Sequence, residues 1–192
     1  ELAETYIELA RTLIKFLESR DSYTRGHSDR VAELAKLTAR ELGLSADETV
    51  PLERAALFHD IGKVAIADDI LRKPHDLHPA EMEQVQRHVE YGIDILSNLT
   101  FLNDSLPLIE SHHERYDGTG YPRGLAGEDI PLGARIIAVI DAFDAITSER
   151  PYRPASSRTE AIEILRNGAG TQWCPKVVDT FLHVLEKTLE KD

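Results

Sequence analysis

Apolar residues recur at helical spacing along nearly the whole chain, and no sustained apolar–polar alternation of the kind a half-buried strand needs stands out between them. Ile7, Leu9, Ala10, Leu13, Ile14 and Leu17 make one stripe. Val31, Leu34, Ala35 and Leu42, with Thr38 on the same face, make the next, for which Ser28 is the expected cap. Ser45 with Glu48 reads as a capping box opening a helix that runs through Leu52, Ala55, Ala56 and Leu57 into His59-Asp60. After a polar stretch, His78-Pro79 with Glu81 starts a helix whose buried face is Met82, Val85, Val89, Ile93 and Leu96, with His88 in its interior. A short helix through Leu106, Leu108 and Ile109 reaches His112-His113, and Asp117-Gly118-Thr119-Gly120-Tyr121-Pro122 then breaks regular structure as far as Pro131. Ala134 to Ile146 is apolar apart from Arg135, Asp141 and Asp144; Ser157 with Glu160 caps another helix, and Pro175 opens the last. With 192 residues, 42% of them apolar, and neither an internal repeat nor a linker, the expectation is one all-α domain.

Lys and Arg number 22 against 34 Asp and Glu, a formal charge of −12. That balance argues against polymeric nucleic acid or an anionic membrane surface as the main partner, since both need a basic face. An anionic substrate must therefore meet a local basic patch. Cys174 is the only cysteine, which excludes an intrachain disulfide and a cysteine-only zinc cluster and fits a reducing, cytoplasmic setting. The longest apolar run, Ile136 to Ile140, is far short of the ~20 residues a membrane-spanning helix needs, so no membrane insertion is expected. Glu1 lies inside an amphipathic pattern, which suits a piece of a longer protein with an upstream sensory or regulatory domain.

Metal centres without cysteine are built from imidazoles and carboxylates. His59 and Asp60, adjacent near a helix end, can converge on one ion or let the carboxylate bridge two. Asp141 follows five apolar residues, where an ionised carboxylate is costly to desolvate unless a cation or donors satisfy it. Asp144 shares its helical face. A single histidine such as His88 is more often hydrogen-bonded than ligating, and His59-Asp60 alone reads equally as an ordinary helix end. Taken jointly, His27, His59, His88, His112 and His113 with Asp60 and Asp141 are enough ligands for two ions sharing a carboxylate. His75, His78 and His183 are assigned no chemistry. Lys63, at the Gly62 break, can reach an oxyanion near the metals. Arg150 and Arg153 suit a phosphodiester, with surface solubility as their other reading.

His59-Asp60-Ile61-Gly62-Lys63 resembles the signature of the HD superfamily of metal-dependent phosphohydrolases. His112-His113-Glu114-Arg115-Tyr116-Asp117-Gly118-Thr119-Gly120-Tyr121-Pro122 resembles the extended motif of its HD-GYP branch. The likeness runs from Tyr23-Thr24-Arg25-Gly26-His27-Ser28 through Ile130-Pro131 and Asp141 to Arg150-Pro151-Tyr152-Arg153 and Gly170-Thr171-Gln172. It implies a helical bundle and a bacterial cyclic di-GMP phosphodiesterase giving pGpG, with a second cut to GMP left open, two divalent ions, iron or manganese, and no organic cofactor. By that resemblance His27, His59, Asp60 and Asp141 hold one ion, and Asp60 bridges to a second held by His88, His112 and His113. A water activated between the ions attacks phosphorus, with Asp60 and Lys63 as the catalytic residues and no protein nucleophile. Gly120, Tyr121, Arg150 and Arg153 contact the substrate, and Asp144 joins them as a candidate contact. Tyr23 stands where some relatives carry a glutamate for a third ion, so two ions are expected. Cys174 stands where relatives often carry Asp, and losing that capping carboxylate is expected to cost about 0.5–2 kcal/mol. The alternatives are a phosphohydrolase for another nucleotide or cyclic dinucleotide, and a catalytically silent module whose GYP loop docks a diguanylate cyclase (GGDEF) domain; a homodimer of the longer protein is a further expectation.

Overall fold

In the computed structural model, residues 26–73, 77–149 and 155–189 are described, together with residues 8, 11, 12, 14, 15 and 18. Tyr23, Arg150 and Arg153 lie outside these residues, and of the first apolar stripe only Ile14 falls within them, where it is buried in the core. The helices are α1 (His27–Glu41), α2 (Ala46–Phe58), α3 (Asp68–Leu71), α4 (Pro79–Gln86), α5 (His88–Leu96), α6 (Leu106–Glu110), α7 (Leu132–Thr147), α8 (Arg158–Gly168) and α9 (Pro175–Leu189). Short 3-10 turns at Ile61–Ala65, Thr100–Leu102 and Gly127–Asp129 join them. Among the described residues there is no strand, only an isolated bridge between Ala169 and Trp173, so the all-α expectation holds. None of the described helices is long and apolar enough to cross a membrane.

The apolar run ahead of Asp141 explains the architecture. Ile136, Ile137, Val139 and Ile140 are fully buried, and α7 packs against α1, α2, α6, α8 and α9. Each such side chain contributes roughly 1.5–3 kcal/mol relative to exposure, so the middle of the bundle is where a helix this apolar must lie. Phe143 of α7 meets Phe181 of α9 edge-on at 5.1 Å between ring centroids. Asp141 and Asp144 are thereby carried to the centre of the molecule on its most buried helix.

Local rules account for several ends. Ser45 Oγ accepts from the Glu48 amide at 3.3 Å while the Glu48 carboxylate accepts from the Ser45 amide at 2.9 Å, and Ser157 with Glu160 does the same for α8. Ser28 is not a cap. Helix α1 starts two residues earlier, after Gly26 at φ 70°, and the Glu18 carboxylate accepts from the amides of Gly26 (2.7 Å) and Ser28 (2.9 Å). A carboxylate brought from an earlier segment thus serves the orphaned amides and suits the positive end of the helix.

The helix expected to run unbroken from His78 is two helices meeting at Arg87. At the break the Val85 carbonyl accepts from the His88 ring at 2.6 Å, a side chain intruding on the i to i−4 ladder. Helix α4 buries none of its residues, and Met82, expected in the core, is 44% exposed. The polar stretch after Asp60 opens with a 3-10 turn, Ile61–Ala65, that lies directly on α5. A Cβ at Gly62 would stand 1.9 Å from the His88 carbonyl oxygen, so only glycine permits that approach. Cys174, ahead of Pro175, is buried with its Sγ accepting from Arg135 Nη1 at 3.6 Å and its carbonyl accepting from the Val178 amide at 3.0 Å.

Candidate metal centre

Helix ends supply most of the site. His27 opens α1, His59 and Asp60 follow α2, His88 opens α5, and His112-His113 follow α6; Asp141 comes from within α7. Terminal positions release side chains from the packed faces of their helices while leaving the backbone anchored, which lets five elements aim at one point. One donor atom each from Asp60, His88, His112 and His113 lies within 4.8 Å of the others, and the same holds for His27, His59 and Asp60. Asp60 belongs to both sets and turns a different oxygen to each: Oδ2 is 3.5 Å from His59 Nε2, and Oδ1 is 3.6 Å from His88 Nε2. Asp141 Oδ1 lies beside the first set, 3.3 Å from His27 Nε2 and 4.0 Å from His59 Nε2. Lys63 Nζ stands 2.6 Å from the shared carboxylate at Oδ2.

Hydrogen bonds behind the rings decide which nitrogen faces inward. The Nδ1 atoms of His59, His88 and His112 lie 2.8, 2.6 and 2.6 Å from the carbonyls of Ala56, Val85 and Ile109, each three residues earlier. A carbonyl only accepts, so Nδ1 carries the hydrogen and Nε2 presents a lone pair. The Nε2 atoms of His88 and His112 are buried with no hydrogen-bond partner. Leaving a buried acceptor unsatisfied costs about 1–3 kcal/mol, and a divalent cation is the partner these lone pairs fit. Imidazole nitrogens and carboxylates with no thiolate form a donor set for zinc, iron, manganese or nickel, and this set could hold metal.

The charges agree. Burial, then the neighbouring imidazoles, hold His112 well below the ordinary histidine value, and burial with His88 takes His113 down to about 3. Burial also lowers His88 against the pull of Asp60. These rings are neutral and free to ligate. His27 is the exception: burial alone would lower it, but hydrogen bonds to Asp141 and Asp144 outweigh burial and push it up to about 10. Burial would raise Asp60, yet the Lys63 ammonium beside it holds it well below the carboxylate range. Asp141 is likewise lowered against burial, by its hydrogen bond to His27.

Of the residues expected at the substrate, Tyr121 stacks on His113 with 4.8 Å between centroids and 27° between planes. Burial, then the charges of Asp60 and Asp141, raise its phenol above the usual range, which puts the hydroxyl in the field of the centre. Gly120 is a packing glycine, because a Cβ there would lie 2.3 Å from the Arg115 amide nitrogen and 2.6 Å from the His113 carbonyl oxygen. Asp144 departs from the substrate contact expected of it. Its carboxylate is 6% exposed, with Oδ2 2.6 Å from His27 Nδ1 and Oδ1 2.6 Å from Arg30 Nε, so both oxygens are taken by the protein. Burial opposes its charge, but those two partners hold it down to about 2.

Three supporting residues were not singled out from sequence. Arg30 sits about one turn after His27 and next to Asp29, at the exposed edge of α1, and gives no local signal. Glu18 gives no local signal, being remote from the amides it caps. Glu114, 4% exposed, accepts from the amides of Arg123 (2.7 Å) and Leu125 (3.0 Å) and so fastens the far side of the Gly120-Tyr121-Pro122 loop. A carboxylate directly before a glycine-rich loop, whose amides lack helical partners, was its clue. The near side of that loop is held by the Tyr116 and Asp117 amides donating to the carbonyls of Gln172 (3.2 Å) and Thr171 (2.8 Å).

Comparison with known proteins gives the kinship of the chain. The HD domain family signature matches residues 11–177. A cyclic di-GMP phosphodiesterase response regulator of Xanthomonas campestris pv. campestris is 42% identical over 184 residues, covering 95% of this chain and 49% of that protein. The 3'3'-cGAMP-specific phosphodiesterase 3 of Vibrio cholerae is 42% identical over 176 residues, covering 91% of this chain and 38% of that protein. The chain thus spans half or less of the length of these curated relatives. A solved cyclic GMP-AMP-specific phosphodiesterase of V. cholerae superposes with a TM-score of 0.72 at 21% identity, over 93% of this chain and 48% of the other. The HD domain of a Listeria monocytogenes phosphodiesterase, solved with cyclic-di-AMP, gives 0.55 at 17% identity over 88% of this chain and 90% of the other. At such identities the superpositions show a shared fold. The kinship itself comes from the signature and the 42% identities: this chain belongs to the HD domain family, in the branch marked by the Gly120-Tyr121-Pro122 motif.

Proposed function

We propose that the chain hydrolyses cyclic di-GMP to pGpG, and onward to GMP, at a centre of two divalent ions. The observation that carries this is Asp60, whose two oxygens face two separate imidazole sets. His27, His59, Asp60 and Asp141 would hold one ion, and Asp60, His88, His112 and His113 the other. When bound, such ions supply an acidified water as nucleophile and positive charge for the phosphodiester. The chain's own contribution is orientation and local charge. The carbonyls behind His59, His88 and His112 fix the rings, Asp60 spaces the two halves, and Lys63 Nζ adds a cation beside the shared carboxylate, in reach of a phosphate oxygen. A chain of net charge −12 needs that local positive charge to receive an anion. Tyr121 on His113 gives the mouth of the site an aromatic face for a base. Iron and manganese both suit the donors.

Relatives named for cyclic di-GMP and for 3'3'-cGAMP match this chain equally well, which supports 3'3'-cGAMP as a second reading of the substrate. Anaerobic turnover of each dinucleotide by protein loaded separately with ferrous iron and manganese, followed by chromatography, tests both. Formation of pGpG is the expected result, and Asp60→Ala should reduce it to background. A fully active Asp60→Ala protein would sink the proposal, and exclusive cleavage of 3'3'-cGAMP would transfer it to the second substrate.

A further inference from the structure

The hydrogen bonds behind the ligands differ between the two halves of the centre. His59, His88 and His112 each rest on a neutral backbone carbonyl, whereas His27 Nδ1 rests on the Asp144 carboxylate at 2.6 Å. Asp144 is buried and held on three sides: Arg30 Nε donates to Oδ1 at 2.6 Å, Arg30 Nη2 to Oδ2 at 2.9 Å, and Ser148 Oγ lies 3.4 Å from Oδ2. The fork geometry fixes the plane of the carboxylate, and through it the ring of His27. Helix α7 therefore delivers two carboxylates to one half, Asp141 facing the ring nitrogens and Asp144 behind His27. The other half has one oxygen of Asp60 and three imidazoles, with no carboxylate bonded behind His88 or His112.

A carboxylate on Nδ1 makes Nε2 a stronger donor than a carbonyl does, and a fixed ring loses less freedom when it binds. Arg30 offsets the net charge of Asp144, so the effect of Asp144 works through its hydrogen bond, while Asp141 adds the charge difference between the halves. We infer that Asp144 is a positioning residue for His27, and that the ion held by His27, His59, Asp60 and Asp141 depends on it while the ion held by Asp60, His88, His112 and His113 does not. This rests on the two-ion reading above and ties Asp144 to one of its halves.

The test is calorimetric titration of metal-free protein with manganese at pH 7.5, with a competing chelator to resolve tight binding. Wild type should take up two ions in separate steps. Asp144→Asn keeps the size and an acceptor but removes the charge; it should weaken one step about 10–100-fold and leave the other in place. His112→Gln should abolish that other step alone, which assigns each step to its half without depending on the folding of the Asp144 variant. Loss in His112→Gln of the step that Asp144→Asn weakens, or equal weakening of both steps in Asp144→Asn, would overturn the inference while leaving two-ion binding intact. Uptake of fewer than two ions by wild type would overturn the two-ion reading and this inference with it.

Discussion

His27 and His113 belong to one centre yet hold their protons in opposite ways. Burial keeps His113 neutral, down to about 3, whereas the hydrogen bonds to Asp141 and Asp144 overcome burial and keep His27 protonated up to about 10. At pH 7.5 the metal-free His27 ring carries both hydrogens, and Nε2 must lose one before it can bind an ion. Loading is therefore expected to release the His27 proton at this pH, whereas His88, His112 and His113 are already neutral. Calorimetry in buffers of different ionisation enthalpy reads this directly as proton release, and a slope of zero would count against it. That these residues belong together was legible from sequence because charged side chains are costly inside apolar helices, and Asp141 stood out on that ground. Asp144 was misread because its partner His27 is 117 residues away, and only folding reveals that the two meet.

Among the elements, the loop bearing Gly120 and Tyr121 has two amides of its outgoing limb held by one buried side chain. Glu114 accepts from the Arg123 and Leu125 amides, and hydrogen bonds to a charged acceptor contribute about 1.5–3 kcal/mol each. Glu114→Gln is expected to raise amide hydrogen exchange at Arg123 and Leu125 by at least about tenfold and to raise KM more than it lowers kcat, because the loop borders the site without touching the bridging carboxylate. Unchanged exchange at both amides would count against this role. Element ends were legible where the capping partners are near neighbours, as at Ser45 with Glu48. They were not legible where capping comes from afar, as with Glu18 on α1, or where a ligand's own ring interrupts its helix, as with His88 at the Val85 carbonyl. Met82 lies on the correct helical stripe, but that stripe faces outward once the helix divides at Arg87.

At the scale of the molecule, the donors come from α1, the ends of α2 and α6, the start of α5 and the middle of α7, so ions seated among them tie together parts of the chain over a hundred residues apart. A ligand that binds only the folded state at a hundredfold excess over its Kd adds about 2.7 kcal/mol. In a chain of this size each kcal/mol moves Tm by about 2–4 °C. Each ion should therefore raise Tm by about 5–10 °C, and a chelator should reverse the gain in calorimetric scans. A Tm indifferent to metal would mean that the ions do not bridge these elements.

The contact between Gly62 and the carbonyl of His88 acts on this assembly as a gauge block. The turn that follows Asp60 and the helix that begins at His88 meet main chain to main chain, with no side chain between them to change rotamer or compress. The separation of the two imidazole sets is thus set by the thickness of a polypeptide, a dimension that thermal jostling of the surrounding core does not alter.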